Sequence, residues 1–195
     1  MRAIDMLLDR VSVSALQDPA PDGATLDRIL ETGLRAPDHG KLRPWRFVLV
    51  RGDARFVLAD IVVRALQARE PDATVPMADK QRSKFTRAPL VIALGVHVLE
   101  NHKIPALEQL MSGAAATMNL LNAIHAEGFG AIWVTGANAY DPSVGAALGF
   151  TRPDRLIGFL FVGTRSDTQD GAPRAANRPA LSDHVIDWSG PASAP

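Results

Sequence analysis

Apolar residues recur along the chain at helical spacing in some stretches and in unbroken or alternating runs in others. Ile4, Leu7, Leu8 and Val11 fall on one helical face. Leu26, Ile29, Leu30 and Leu34 predict a second helix, entered through the loop "DPAPDGAT" with Asp22 or Thr25 as its N-cap. That helix should end before Pro37, because a residue ahead of proline is pushed out of the helical region. "RFVLV", 46–50, reads as a strand, and Phe56, Val57, Ile61, Val62 and Leu66 predict a third helix. The polar stretch "PDATVPMADKQRSKFTRAP", 71–89, predicts a loop containing a short helix and expected to be mobile. "LVIALGVHV", 90–98, is apolar without alternation, the pattern of a strand covered on both faces.

The longest periodic segment runs over 105–127. Leu107, Met111, Ala114, Met118, Leu121 and His125 form one seam, and Leu110, Gly113, Thr117, Leu120 and Ile124 form another beside it. Two adjacent seams predict a helix covered over a broad face, either in the core or also across a subunit interface. Gly128 stops this helix, and 130–135 follows as a short strand. "DPSVGAALGF" predicts a helix with Asp141 as cap, Pro142 in the first turn and Gly149 at the stop. "RLIGFLFVG", 155–163, is a further strand, and a polar tail leads to "ALSDHVIDW". Strands separated by helices, with no internal repeat, predict one domain over 1–195, an α+β or α/β layer with one sheet covered by helices.

Composition narrows the chemistry more than the fold. The 195 residues carry 21 Lys+Arg and 21 Asp+Glu, so no net field favours nucleic acid or an anionic membrane. A chain of this length buries roughly 70% of its unfolded surface, enough for a real core. The absence of cysteine excludes disulfides, thiol nucleophiles and iron–sulfur ligation. Acids interrupt the N-terminal apolar stretch, and Asn119, Asn122 and His125 interrupt the longest soft one. Neither a signal peptide nor a membrane span is expected, and a cytoplasmic protein is.

Known catalytic signatures fail. G-x-x-x-x-G-K-S/T and G-x-S-x-G are absent, and "GFGAIW" has Trp133 where a dinucleotide fingerprint needs its third glycine. His97, Glu100 and His102 are a weak metal candidate, and Asp38 beside His39 a weak acid/base pair. What stands out is "LRAPDHGKLRPWRF", which gathers Arg35, Lys41, Arg43 and Arg46 in a chain of zero net charge. Trp45 sits between Pro44 and an apolar strand, which suits core better than base stacking, and Arg46 should alternate outward. A phosphate site fits better than nucleic acid: Arg10 with Ser12, and Arg178 in the tail, add cations and a hydroxyl.

These stretches, in this order, resemble the flavin-dependent nitroreductase family in its short-chain subgroup, over about residues 3–188. "LLDRVSVSAL" is similar to the family's opening helix and R-x-S motif, matched by Arg10, Val11 and Ser12. "RAPDHGKLRPWRF" resembles its APS-x-x-N-x-QPW-x-F signature. "ENHKIPALEQLMSGAAATMNLLNAIHAEGFGAIWVTG" resembles its long dimer helix, glycine-rich turn and flavin-flanking strand, "RLIGFLFVGT" its final core strand, and "RPALSDHV" its phosphate-side arginine segment.

The resemblance implies a three-layer α+β fold with a central mixed sheet flanked by helices and a long dimer-interface helix. It implies a homodimer with FMN at the interface and ping-pong chemistry with NADH or NADPH, the oxidant being a nitroaromatic or quinone-like molecule. By residue match, Arg10, Val11 and Ser12 would contact FMN, with Arg178 on the phosphate side. Arg35 and His39 would line the flavin, at least one from the partner subunit. Trp133, Val134 and Thr135 would lie along the isoalloxazine and ribityl side. Ala123, Ile124, His125, Ala126, Glu127 and Gly128 would lie near the nicotinamide nucleotide. The chain departs from the pattern at Asp38, Lys41 and Arg43, where the family has Ser, Asn and Gln, and at Ser14, often basic. Lys41 would stabilise negative charge at the flavin N1/O2 edge. Other flavin reactions on this scaffold, and a flavin- or ligand-binding protein without turnover, remain alternatives.

Overall fold

Residues 2–166, 179–188 and 190 are described by a computed structural model. The described residues contain five strands: β1 (Leu16–Gln17), β2 (Trp45–Arg51), β3 (Leu90–Val96), β4 (Gly130–Val134) and β5 (Arg155–Arg165). Around them are α1 (Ala3–Asp9), α2 (Gly23–Gly33), α3 (Ala54–Arg69), α4 (Val75–Arg87), α5 (Ala106–Ala126), α6 (Ala137–Tyr140) and α7 (Pro142–Ala147). β5 is central: Phe159–Val162 pair with Leu90–Ala93 of β3 and also with Ala131–Val134 of β4. β2 lies outside β3, in register from Trp45↔Val96 to Arg51↔Leu90. β1 pairs with the far end of β5 through Leu16↔Arg165.

The expected mixed sheet is corrected: every described pairing is antiparallel. The connections explain it. Two helices, α3 and α4, join β2 to β3, so the chain crosses the layer twice and β3 starts where β2 ended. Only α5 joins β3 to β4, which makes those strands parallel, but β5 inserts between them.

Strand alternation divides the core in two. Val91 and Ala93 of β3 face α3 and α4, with Leu58, Val62, Phe85, Phe159 and Phe161. Leu90, Ile92 and Leu94 face α2 and α5, with Leu26, Ile29, Leu120 and Ile124. The result is helices, sheet, helices, with all seven residues of β3 buried, as its unbroken apolar run predicts. Burying each large apolar side chain contributes about 1.5–3 kcal/mol, so these two clusters dominate the fold's stabilisation.

Several helical faces differ from the sequence pattern. α1 ends at Asp9 and buries none of its residues, so Ile4, Leu7 and Leu8 are exposed and Val11 lies beyond the helix. Asp22 takes the N-cap position of α2 without a side-chain capping bond, and Leu34 is exposed. Phe56 and Val57 are exposed, and α3 buries Leu58, Ala59, Val62, Val63, Ala65 and Leu66 instead. The 71–89 stretch is mainly the 13-residue α4, begun after Thr74 with Pro76 in its first turn and anchored by the buried Phe85. In α5, Gly113, Thr117, Leu120 and Ile124 are buried, whereas Leu107, Met111 and Met118 are exposed. β1 and α6, of two and four residues, are too short to leave a period in the sequence.

Candidate functional site

The segment after α1 runs beside β4, where the Val13 amide donates to the Ala131 carbonyl at 2.9 Å. Two cavities open along it. The smaller, about 150 Å³, is lined by Arg10, Val11 and Val13 together with Leu121, His125 and Gly128. Nε and Nη1 of Arg10 are buried there without a hydrogen-bond partner among the described residues. Buried N–H groups left without an acceptor are costly, so Nε and Nη1 favour an acceptor such as an anion in this cavity.

The second cavity, about 430 Å³, has an apolar floor that includes Ile132, Val134 and Phe161. Ser14 stands at one side, and Lys80, Ser83, Lys84 and Arg87 of α4 form a cationic rim. The sequence reading missed this rim. Its signal is the spacing 80, 83, 84, 87, one face of a helix, which is visible only once 75–87 is read as helical.

Alternation separates two neighbours expected to act together. Val134 faces the second cavity, whereas the Trp133 side chain packs with the α2/α5 cluster. The indole Nε1 is buried without a hydrogen-bond partner among the described residues. It lies over Gly158, whose φ is +144° and where a Cβ would fall 2.3 Å from it. Trp133 can therefore meet a ligand on the Val134 side only through its backbone. Ser12 and Thr135 are exposed. Of the residues expected near the nucleotide, His125 and Gly128 line the Arg10 cavity, Ala123 is half-buried and Ile124 buried. Ala126 and Glu127 are exposed, and Glu127 pairs with Arg28 at 3.0 Å. Arg178 lies outside the described residues.

The "LRAPDHGKLRPWRF" stretch forms a third site. Arg35, Asp38, Lys41, Arg43, Trp45 and Arg46 border a groove of about 640 Å³ between the end of α2 and the start of β2. Within the chain, then, Arg35 and Lys41 are not brought to the Arg10 cavity. Asp38 and His39 are not paired: Asp38 Oδ2 accepts the Arg43 amide at 2.7 Å, and His39 Nδ1 lies 2.6 Å from Glu108 Oε2. Trp45 is held inward, its Nε1 donating to Ser112 Oγ at 3.0 Å, while Arg46 points out. The weak metal candidate disperses: His97 pairs with Asp154 at 2.6 Å and Glu100 with Arg155 at 3.8 Å.

Comparison with known proteins decides the family. The model of the Nitroreductase family matches residues 7–164. The chain belongs to the nitroreductase family. It is 40% identical over 165 residues to YdjA of Escherichia coli (strain K12), a protein provisionally named an NAD(P)H nitroreductase, covering 84% of this chain and 88% of YdjA. A nitroreductase-like protein from Bacillus cereus shares the fold with a TM-score of 0.83 at 22% identity, covering 97% of each chain. A provisionally named nitroreductase from Desulfovibrio desulfuricans, solved in complex with FMN, has a TM-score of 0.74 at 20% identity over 98% of this chain and 99% of that one. The span matched to the nitroreductase family takes in the Arg10 cavity, α4 and the cationic groove, and ends before Arg178.

Proposed function

We propose that this nitroreductase-family protein is an FMN-dependent NAD(P)H oxidoreductase, a cytoplasmic homodimer with the flavin at its subunit interface. The observation that carries the reading is the half-buried Arg10, whose buried Nε and Nη1 have no partner among the described residues and would receive one from the FMN phosphate. Arg10, Val11 and Ser12 would hold that end. The apolar floor at Val134, with Thr135 and the backbone of Trp133 beside it, suits a planar ring, and the α4 lysines suit its electron-rich edge. When bound, FMN supplies the chemistry, accepting a hydride from NAD(P)H and passing reducing equivalents to a nitroaromatic or quinone-like oxidant. The protein then needs no nucleophile of its own, in keeping with the failed search for catalytic signatures.

A dimer is supported by two exposed apolar surfaces, Leu107, Met111 and Met118 on α5, and Val185, Ile186 and Trp188 near the C-terminus. Apolar patches of this kind are usual at contacts between chains. Arg35 and His39, which do not reach the Arg10 cavity of their own chain, would line the flavin from the partner subunit. No helix among the described residues is long and apolar enough to cross a membrane.

The purified protein should be yellow, and stopped-flow mixing with NADH or NADPH should bleach the flavin band. Arg10→Ala should weaken FMN binding by roughly 10–100-fold, the worth of a charge-assisted contact. A flavin that binds but is reduced by neither nucleotide would make the protein a carrier, and an Arg10→Ala variant with unchanged FMN affinity would move the phosphate elsewhere.

A further inference from the structure

Four polar side chains in series join the two walls of the larger cavity. Asp141 Oδ2 accepts from Arg69 Nη1, and Arg69 Nη2 donates to Asn138 Oδ1 at 2.9 Å. Asn138 Nδ2 then donates to Gln81 Oε1 at 3.2 Å, across 57 positions of sequence. The series has one direction. A guanidinium only donates, so Arg69 turns Asn138 Oδ1 toward itself and leaves Nδ2 for Gln81. Arg69, Asn138 and Gln81 are half-buried, where a hydrogen bond is electrostatically stronger than in water.

The ends of the last bond belong to opposite walls. Asn138 lies in α6, four residues after Val134 of the apolar floor, beyond a turn at Gly136 whose φ is +106°. Gln81 lies in α4 between Lys80 and Lys84 of the cationic rim, one turn before the buried Phe85 and on the same face. Neither Asn138 nor Gln81 lines the cavity. Lys80 and Lys84 are exposed and form no ion pair among the described residues. Without an ion pair to hold them, their place over the floor follows the backbone of α4.

We propose that Asn138 and Gln81 are positioning residues, whose bond holds the α4 lysines over the flavin ring and so raises its reduction potential. The inference rests on the reading that FMN lies with its ring on the Val134 floor. Reduction leaves negative charge at the flavin N1/O2 edge, and a lysine held there stabilises the reduced form more than the oxidised one. The bridge touches neither flavin nor substrate; it acts through the lysines on either side of Gln81.

The test is a spectroscopic redox titration of the FMN-loaded, full-chain protein. Gln81→Leu removes the acceptor, changes no charge and suits a helix. The preference for reduced over oxidised flavin should fall about tenfold, the worth of one charge-assisted hydrogen bond, which is a midpoint about 30 mV lower. Asn138→Ala should lower the midpoint too, and Gln81→Leu added to it should lower it no further, because both remove one bond. In flavin-free protein, the α4 amides should exchange with solvent faster in Gln81→Leu than in wild type, and those of β3 at the same rate. An unchanged midpoint, shifts that add in the double variant, or unchanged exchange in α4 would each overturn the proposal. So would a loss of FMN affinity on Gln81→Leu that is the same with and without Asn138→Ala, which would make Gln81 a flavin contact itself. A wild type that takes up no FMN would overturn the flavin reading and the lysines' role with it, whereas a loaded protein with an unmoved midpoint overturns the bridge alone.

Discussion

Asp141 opens α7 and fastens it to α3. Its Oδ1 accepts the Ser143 amide at 2.9 Å and the Ser143 hydroxyl at 2.6 Å, and Oδ2 accepts from Arg69, which also donates to Asn138. Burial alone would raise the Asp141 pKa, but Ser143 and Arg69 outweigh it and hold the carboxyl below its ordinary value. A depressed carboxylate stabilises the fold above its unfolded-state pKa and loses that contribution as pH falls through the folded value. Asp141→Ala should therefore cost about 2–4 kcal/mol at pH 7, from the lost cap and the stranded Arg69. Urea denaturation should show the gap to wild type narrowing below about pH 4; a gap independent of pH would refute the assignment. The cap itself was legible in "DPSVGAALGF", because capping is local. Arg69 was not, since only the fold brings together residues 72 positions apart. Arg10 follows the same rule: its motif is visible in sequence, its orphaned burial is not.

Secondary elements were legible where apolar periodicity is strong and lost where one residue does the anchoring. β2, β3, β5 and α5 lie within two residues at either end of the segments their patterns mark out. α4 shows a period only weakly because Phe85 is its one buried residue. The Phe85 ring packs edge-on against Phe159 and Phe161, at centroid distances of 5.1 and 5.2 Å. The Arg82–Asp60 pair, which links α4 to α3, is half-exposed and worth less than about 1 kcal/mol. Phe85→Ala should cost about 3–5 kcal/mol and Arg82→Ala less than about 1 kcal/mol. In Phe85→Ala, the amides of 75–87 should exchange with solvent faster than those of β3, and FMN should bind more weakly as Lys80 and Lys84 lose their support. Equal losses in the two variants would show that α4 is not hung on its phenylalanine. Pairing direction was beyond the pattern altogether, because periodicity says that β3 and β4 are strands but not that β5 lies between them.

At the scale of the whole molecule, the two seams of α5 had the same look in sequence and different fates in the fold. Thr117, Leu120 and Ile124 are buried against the sheet, while Leu107, Met111 and Met118 are 68%, 61% and 40% exposed. Periodicity reports that a face is apolar and cannot report whether its cover comes from the same chain or another. If the cover is a second copy related by a two-fold axis, each substitution on the stripe acts twice at the interface. Met111→Glu with Met118→Glu would then place four carboxylates where four methionines pack, each worth about 1.5–3 kcal/mol when buried. Glutamate is a good helix former, so α5 itself should persist and far-UV circular dichroism should be unchanged. Light scattering behind gel filtration should show the wild type as a dimer and the double variant as a monomer. FMN affinity should fall with the dimer if, as proposed, Arg35 and His39 line the flavin from the neighbouring subunit. A double variant that stays dimeric would place the interface elsewhere, and one that becomes monomeric yet keeps its flavin would confine the cofactor site to a single chain.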